Sequence, residues 1–537
     1  MVSRWLCHDS LLAKGVPEAA FDVVIGNPPW EKLKITRHEF LRANGSPRHY
    51  GADYPTIDQG LFSEKHDCMA KYGAELLLRY PMLGSGEPDL YRAFIELFLK
   101  LARPEGCVSV LVPAGLIRSE GTQDLRAFLF DNAGDLSFTV LENRARFFAI
   151  DTRFKFLGLL FTKTDVERRR RTIRIAHSRG TEHGVERIGS ALLDRKTLQA
   201  TRPDLTVPEV KSQEEWRLFN TMYANGESSI LPGSIWQNEI VREVDMTRDA
   251  KNFQRDRKAG LLPLIEGRMV HQHRFGAKTY KSGTGRQAKW EIVPLGTKKI
   301  EPQFWYPQNA LPPAVRQRVD SLRAGFCDIT GQTNERTMLA ALVPPGVVCG
   351  NKVPTVRFIN DTREERLYLW LAVVNSFSFD WALRRIVTTT VNYFLLNSMP
   401  LPKLSLDSAV GRTVVAASRE LSLIDSAVNA IDIWKVAHLR ASIDVGVHAA
   451  YGLDFKDLEL MFQDFPLLDR AQPPLRGEQR STVTRDFVLS HASEYFNLQH
   501  NAFADRLSAA SAVGAVPYVP SEFAAAGIEL PVEASHG

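Results

Sequence analysis

Cysteine is scarce in this 537-residue chain. The five present, Cys7, Cys68, Cys107, Cys327 and Cys349, stand at no paired spacing. That excludes a disulfide framework and a zinc ribbon, so no metal site is expected, and it fits a reducing compartment, the cytoplasm. Long apolar runs are missing too: none approaches the ~20 residues that span a bilayer. The N-terminus lacks the apolar core of a secretory signal, so no membrane partner is expected. There is no internal repeat and no long low-complexity tract. Neither sign of charge dominates. With 67 Lys and Arg against 62 Asp and Glu, the net charge is +5 and the pI near 8.8. A mildly basic balance permits nucleic-acid binding without demonstrating it. What is present is the composition of a folded protein, 44% apolar and 24% charged, on a chain long enough for two or three domains.

The stretch that carries chemistry is Phe21-Asp22-Val23-Val24-Ile25-Gly26-Asn27-Pro28-Pro29-Trp30. Val23, Val24 and Ile25 form a β-branched run that reads as a buried strand, and Gly26 ends it. In an open α/β sheet, ligands sit at the carboxyl ends of the strands. The turn there suits one task, gripping an exocyclic amine. Such an amine is a poor nucleophile because its lone pair is delocalised into the ring. Two acceptors on its two hydrogens free that pair. Asn27 offers its side-chain carbonyl. Pro28 offers a backbone carbonyl with no N–H to compete, and Pro29 holds Pro28 extended. Trp30 supplies a flat face for a base taken out of the stack, a contact worth roughly 1–3 kcal/mol. The gain comes from orientation and aimed electrostatics, without a strong base. The bland alternative is an Asn-Pro bend after a strand.

This stretch resembles the Asn-Pro-Pro-aromatic motif of DNA amino-methyltransferases of the adenine-N6 class. His8-Asp9-Ser10-Leu11-Leu12 is similar to that family's upstream acidic turn. The resemblance implies S-adenosyl-L-methionine as cofactor, with Asp9 receiving the adenine amino group of that donor. It also implies double-stranded DNA as partner and a flipped adenine as substrate. Leu90, Tyr91, Phe94, Val112 and Pro113 extend the likeness through a Leu-Tyr-x-x-Phe helix and a strand ending in Val-Pro. The family also carries an aromatic that packs on the second face of the flipped base. Within Arg146 to Arg153, Phe148 is the better match and Phe147 the fallback; both could instead be core plugs.

In chain order, residues 1–165 are expected to be the C-terminal half of the catalytic domain, a partial Rossmann-like α/β sheet. Residues 31–80 read as mixed and loop-rich. Lys32, Lys34, Arg37 and His38 could meet phosphates or form a solvated face. A helix follows over 89–99, then strands over 107–112, 136–141 and 154–161, with a helix over 121–130 between the first two. The run Arg168–Arg171 marks a basic linker, 166–200. Residues 201–405 resemble the mixed α+β target-recognition domain of large restriction–modification and phage-defence methyltransferases. The matching segments are Leu262–Met269, Phe326–Thr330, Thr333–Thr337, Val374–Trp381 and Asn392–Phe394 with Pro400-Leu401-Pro402. Arg336 and Asn334 could contact DNA, but holding a turn is the favoured role. Residues 406–507 read as a helical C-terminal region with Gly452 as a left-handed cap. Residues 508–537 read as a poorly ordered tail.

The family also places a glycine-rich strand-to-helix turn upstream of the motif, to bind the donor. Gly84-Ser85-Gly86 and Gly283-Thr284-Gly285 lack the preceding apolar strand that would make them equivalent. The chain therefore reads as N-terminally truncated relative to the family. Val23–Ile25 is expected to form an open apolar edge. The isolated chain is expected to bind S-adenosylmethionine weakly, and to aggregate or recruit a separate chain that supplies the missing half. The function expected is site-specific adenine-N6 methylation, with Asn27, Pro28, Pro29 and Trp30 catalytic. Three rivals remain: cytosine-N4 methylation, protein glutamine methylation, and a non-catalytic DNA-binding specificity fragment. No nuclease cluster is evident.

Overall fold

The β-branched run after Phe21 does form a strand, β1 (Phe21–Gly26), in a computed structural model of the chain, but of that strand only Val24 is buried. The structure describes residues 9–13, 17–34, 40, 59–84, 88–148, 154–181, 184–296, 298–358, 364–424, 432–498 and 502–524. Arg37, His38, Ser85 and Gly86 fall outside them. The chain divides into two units, Met1–Arg217 and Leu218–Gly537. No described helix is long and apolar enough to cross a membrane.

The first unit is built on a mixed six-stranded sheet. After β1 come helices α1 (Gln59–Arg79) and α2 (Tyr91–Leu101), then β2 (Ala102–Pro113), α3 (Gln123–Asn132) and β3 (Ala133–Glu142). Strands β4 (Lys155–Lys163), β5 (Thr172–Thr181) and β6 (Gly184–Asp194) complete it. The spatial order is β1-β2-β4-β3-β5-β6. β1 runs parallel to β2, whereas β4 runs antiparallel to both β2 and β3. β5 is parallel to β3, and β6 is antiparallel to β5.

The two faces of this sheet differ. On one, Val24, Val108, Val110, Val112, Leu159, Phe161, Phe138, Val140 and Ile175 are buried. α2 covers part of that face, and it comes so close that a Cβ on Gly26 would lie 2.5 Å from the Phe98 ring. Each buried side chain there is worth about 1.5–3 kcal/mol. On the other face, Ile25 is 77% exposed, Val23 56% and Leu160 45%. Register places Ile25, Ser109 and Leu160 side by side across β1, β2 and β4. β1 is an edge strand, so the expected open apolar edge is present.

Three expectations for this unit need correction. Within 31–80, residues 59–79 are helical rather than loop: Leu76 and Tyr80 pack with Leu11, Leu83 and Leu97. The stretch 166–200 is not a linker, because β5 and β6 extend the same sheet. Two arginines of the run instead brace the amino ends of β2 and β3. Arg169 pairs with Glu105 and Asp135, and Arg170 donates to the Asp131 carbonyl. Residues beyond 200 also return to this unit: Arg126, buried, donates to the Asp204 carbonyl, and Lys155 pairs with Glu209 at 2.6 Å. A local charge count cannot separate a solvated linker from arginines that find carboxylates and carbonyls in the fold.

The second unit is α+β. Strand β7 (Glu239–Val241) joins β12 (Arg323–Phe326), β13 (Ala340–Val343) and β15 (Thr355–Arg357) in a four-stranded sheet. Between them lie β8 (Leu261–Ile265), the tight hairpin β9 (Val270–His271) and β10 (Arg274–Phe275), β11 (Phe304–Pro307), and β14 (Val348–Cys349). Helices α4 (Glu365–Asn375), α5 (Phe377–Arg384), α6 (Ala409–Leu423), α7 (Ile433–Ala450), α8 (Phe455–Phe462), α9 (Val483–Tyr495) and α10 (Ala504–Ala512) follow. α4 is buried from Leu367 to Asn375 without a polar stripe, so it is a central helix. Gly452 has φ +69°, the left-handed cap expected of it. Of the tail expected to be poorly ordered, 508–524 is instead packed. Ala515, Tyr518 and Val519 are buried, and the Tyr518 hydroxyl donates to Asp444 at 2.6 Å. An Ala- and Val-rich composition reads as weakly ordered until a groove is there to receive it. Residues 525–537 lie outside the described part.

Candidate active site

The chain leaves β1 at Gly26 and turns at the sheet's carboxyl edge. Asn27 is exposed and Pro28 is buried; Pro29 is exposed and Trp30 half-buried. A buried proline between two exposed residues anchors the turn, and its φ is fixed without help from a ligand. The chain beyond is tied down as well. The Leu33 N–H donates to the Pro88 carbonyl, and the Leu90 N–H to the Glu31 carbonyl, both at 2.9 Å. Asn27 therefore presents a free amide from a stiff support, and no described residue hydrogen-bonds its side chain.

Trp30 is oriented by its indole N–H, which donates to the Leu111 carbonyl on β2 at 3.2 Å. Its ring meets Phe148 at 4.7 Å between centroids, tilted by 48°. Phe156 on β4 completes the cluster, 4.9 Å from Phe148 and 6.2 Å from Trp30. These rings lie at the end of the sheet's open face. The structure separates the two candidate phenylalanines. Phe148 touches Trp30, whereas Phe147 lies over Gly180, where a Cβ would come within 2.4 Å of its ring. Phe147 is 47% exposed and meets Phe156 edge-on at 6.2 Å.

The expected sandwich is not formed as the rings stand. A base between two aromatic faces needs centroids roughly 7 Å apart, twice the ~3.5 Å contact distance of stacked carbons. At 4.7 Å, Trp30 and Phe148 occupy each other's face.

Sequence reasoning missed Asn143, which is fully buried and reads the backbone of Phe148. Its Nδ2 donates to the Phe148 carbonyl and its Oδ1 accepts from the Phe148 N–H, each at 3.0 Å. Between them Arg146 takes a left-handed φ of +54°. An asparagine in a polar loop gave no sign of this, because the pairing exists only once the loop closes on itself.

Asp9 stands on a different support. Its Oδ1 accepts the Leu11 N–H at 2.9 Å and its Oδ2 accepts the Tyr72 hydroxyl, also at 2.9 Å. Burial and the Asp9 carboxylate push the Tyr72 phenol up to about 12. Asp9 remains exposed, and a carboxylate has about four lone-pair sites, so it can still accept from a ligand amine. It shares no hydrogen bond with the Asn27 turn. Of the basic residues after the motif, Lys32 pairs with Asp89 in a β-bridge. In the second unit Arg336 is buried, donating to Asp380 at 3.0 Å and to the Asn375 carbonyl at 2.6 Å. It holds structure, as favoured. Among the described residues no group of three or more His, Cys, Asp or Glu could hold a metal.

Residues 9–148 match the family described as Eco57I restriction-modification methylase. The match spans β1, the Asn27–Trp30 turn and Phe148. No curated protein matches the chain. Among solved structures, the chain is similar to the type IIG restriction endonuclease BpuSI, at 14% identity and TM-score 0.27 over 80% of this chain and 54% of that one. It is similar to the type IIL enzyme MmeI in complex with DNA, at 10% identity and TM-score 0.42 over 82% and 56%. For the DrdV–DNA complex the figures are 12% and 0.37 over 75% and 44%. The chain spans about half the length of these enzymes.

Proposed function

We propose that the chain is the target-gripping and sequence-reading part of a DNA adenine-N6 methyltransferase of the restriction–modification or phage-defence kind. The observation that carries this is an exposed, unpartnered Asn27 amide on a proline-locked turn, beside an oriented indole, inside an Eco57I-type segment. Asn27 through its side-chain carbonyl and Pro28 through its backbone carbonyl accept the two N–H groups of the adenine amine. Pro29 keeps Pro28 extended. Trp30, with Phe148 displaced, stacks on the base. S-adenosylmethionine, when bound, supplies the methyl group, and Asp9 would hold its adenine amine, for which an exposed carboxylate is fit. The low-dielectric aromatic wall strengthens both acceptor contacts. The exposed Val23 and Ile25 edge is where a separate chain would add a strand to the sheet and complete the donor site. The second unit reads the DNA sequence.

The test is methyl transfer from labelled S-adenosylmethionine to double-stranded DNA, with the modified base identified by mass spectrometry. N6-methyladenine is the expected product. N4-methylcytosine would move the reading to cytosine. DNA binding without methylation, even with the completing chain present, would leave a specificity fragment.

A further inference from the structure

The second unit holds a cavity of about 340 Å³ whose polar wall is cationic. The β9–β10 hairpin turns into it at Gln272 and His273, and His273 takes a left-handed φ of +57°. The hairpin thereby lines the cavity with His271, Gln272, His273 and Arg274. Arg440 of α7 faces them. Its guanidinium donates to the Gln272 Oε1 and lies 4.8 Å over the Tyr518 ring. No described carboxylate is ion-paired with it. Asp444, the nearest acid on α7, accepts from the Tyr518 hydroxyl at 2.6 Å and the Phe377 N–H at 2.7 Å. Glu335 accepts the Ser521 N–H, and Glu522 pairs with Lys278 at 2.6 Å.

Arg440 is half-buried, and the partial loss of water without a paired carboxylate pushes its guanidinium down to about 10. Burial and the neighbouring cations, Arg440 first among them, keep His271 and His273 well below the usual histidine value. The Nδ1 of His273 is buried with no partner among the described residues. The lining also includes the apolar Leu295, Val516 and Val519. A site with one unmatched cation and an apolar lining is complementary to an amphipathic anion.

We propose that this cavity binds a small organic anion, its carboxylate or phosphate on Arg440 and its apolar body against Leu295, Val516 and Val519. None of these residues lies in the Eco57I-type segment, so the proposal does not rest on the methylation reading. The full chain is titrated calorimetrically with 1-naphthoate, 1-naphthyl phosphate and neutral 1-naphthalenemethanol. At least one anion is expected to bind one-to-one, and the comparison of the two identifies the head group preferred. The alcohol should bind about tenfold more weakly, the size of one charge-assisted hydrogen bond. Arg440→Met should bring the anions down to the alcohol's affinity, and Arg440→Lys should restore part of the loss. Should Arg440→Met not fold, Val519→Trp, which fills the apolar end, should abolish binding in a folded chain. No saturable binding at millimolar concentration, equal affinity for the alcohol, or anion affinity unchanged in the folded variants would each overturn the proposal.

Discussion

Asn27 in the first unit and Asp380 in the second are both polar side chains in segments that resemble methyltransferase motifs, and they meet opposite fates. Asn27 is exposed, with no hydrogen-bond partner among the described residues. Asp380 is fully buried and saturated: it accepts from Arg336, from Arg384 at 2.8 Å and from the Thr337 N–H at 2.8 Å. Burial alone would raise its carboxyl, yet Arg384 and Arg336 hold it below the usual value. The first side chain is left open to solvent, and the second is spent on the fold. A shared likeness to motifs therefore says little about role until each side chain's partners are known.

Two substitutions sharpen this contrast at its extremes. With the completing chain present, Asn27→Ala should cost about 10²–10³-fold in methyl transfer, the range for losing one aimed hydrogen-bonding group. Stability measured by urea unfolding should move by no more than about 0.5 kcal/mol, as for exposed sites. DNA binding should persist. Loss of binding together with activity would make Asn27 structural. Asp380→Ala should do the reverse. It strands Arg336 and Arg384 in the interior and should cost about 3–5 kcal/mol in the same unfolding experiment. A cost under 1 kcal/mol would show that water reaches those arginines.

The same contrast governs what the sequence could reveal. β1 and the strands after it were legible because apolar periodicity alone places Val108, Val110 and Val112 on one face. The Asn27 turn was legible because proline fixes its backbone locally. β5 and β6 were not, since the Arg168–Arg171 run before them looked like solvated linker. Nor was the Asn143 clamp on Phe148, which depends on a loop closing. In the second unit, pairs such as Arg323 with Glu243, both fully buried, join residues 80 apart in the chain. No local pattern announces them.

Asp469 extends the comparison to pH. Burial pushes its carboxyl up to about 7, against two hydrogen bonds from Thr484. A folded value above the unfolded one means the contribution is fully present below about pH 4 and lost as pH rises through about 7. The difference is of order 2–4 kcal/mol. Asp469→Asn should flatten that part of the stability–pH curve, followed by thermal unfolding between pH 4 and 8. An unchanged slope would place the titration elsewhere.

The sheet's two faces give a subtler contrast. Val23→Glu with Ile25→Lys puts charge on the open edge without touching the covered face. It should suppress self-association in sedimentation velocity and leave unfolding within about 0.5 kcal/mol. Association that persists would move the sticky surface away from β1.

The smallest effect belongs to Arg242, and it separates a half-exposed cation from the buried arginines around it. Arg242 lies 5.1 Å over the Tyr393 ring and reaches Asp328 at 3.4 Å, while Lys352 approaches the same carboxylate at 3.6 Å. Asp328 is fully buried, yet both cations are 45% exposed. Burial raises the Asp328 carboxyl against the pull of Lys352 and Arg242. One carboxylate thus holds two cations at the surface, a net positive pair suited to a DNA phosphate. Arg242→Ala should weaken binding to all duplexes alike. The slope of log affinity against log salt should fall by about 1. A loss confined to one sequence would instead make Arg242 a base reader, since a phosphate contact carries no sequence information.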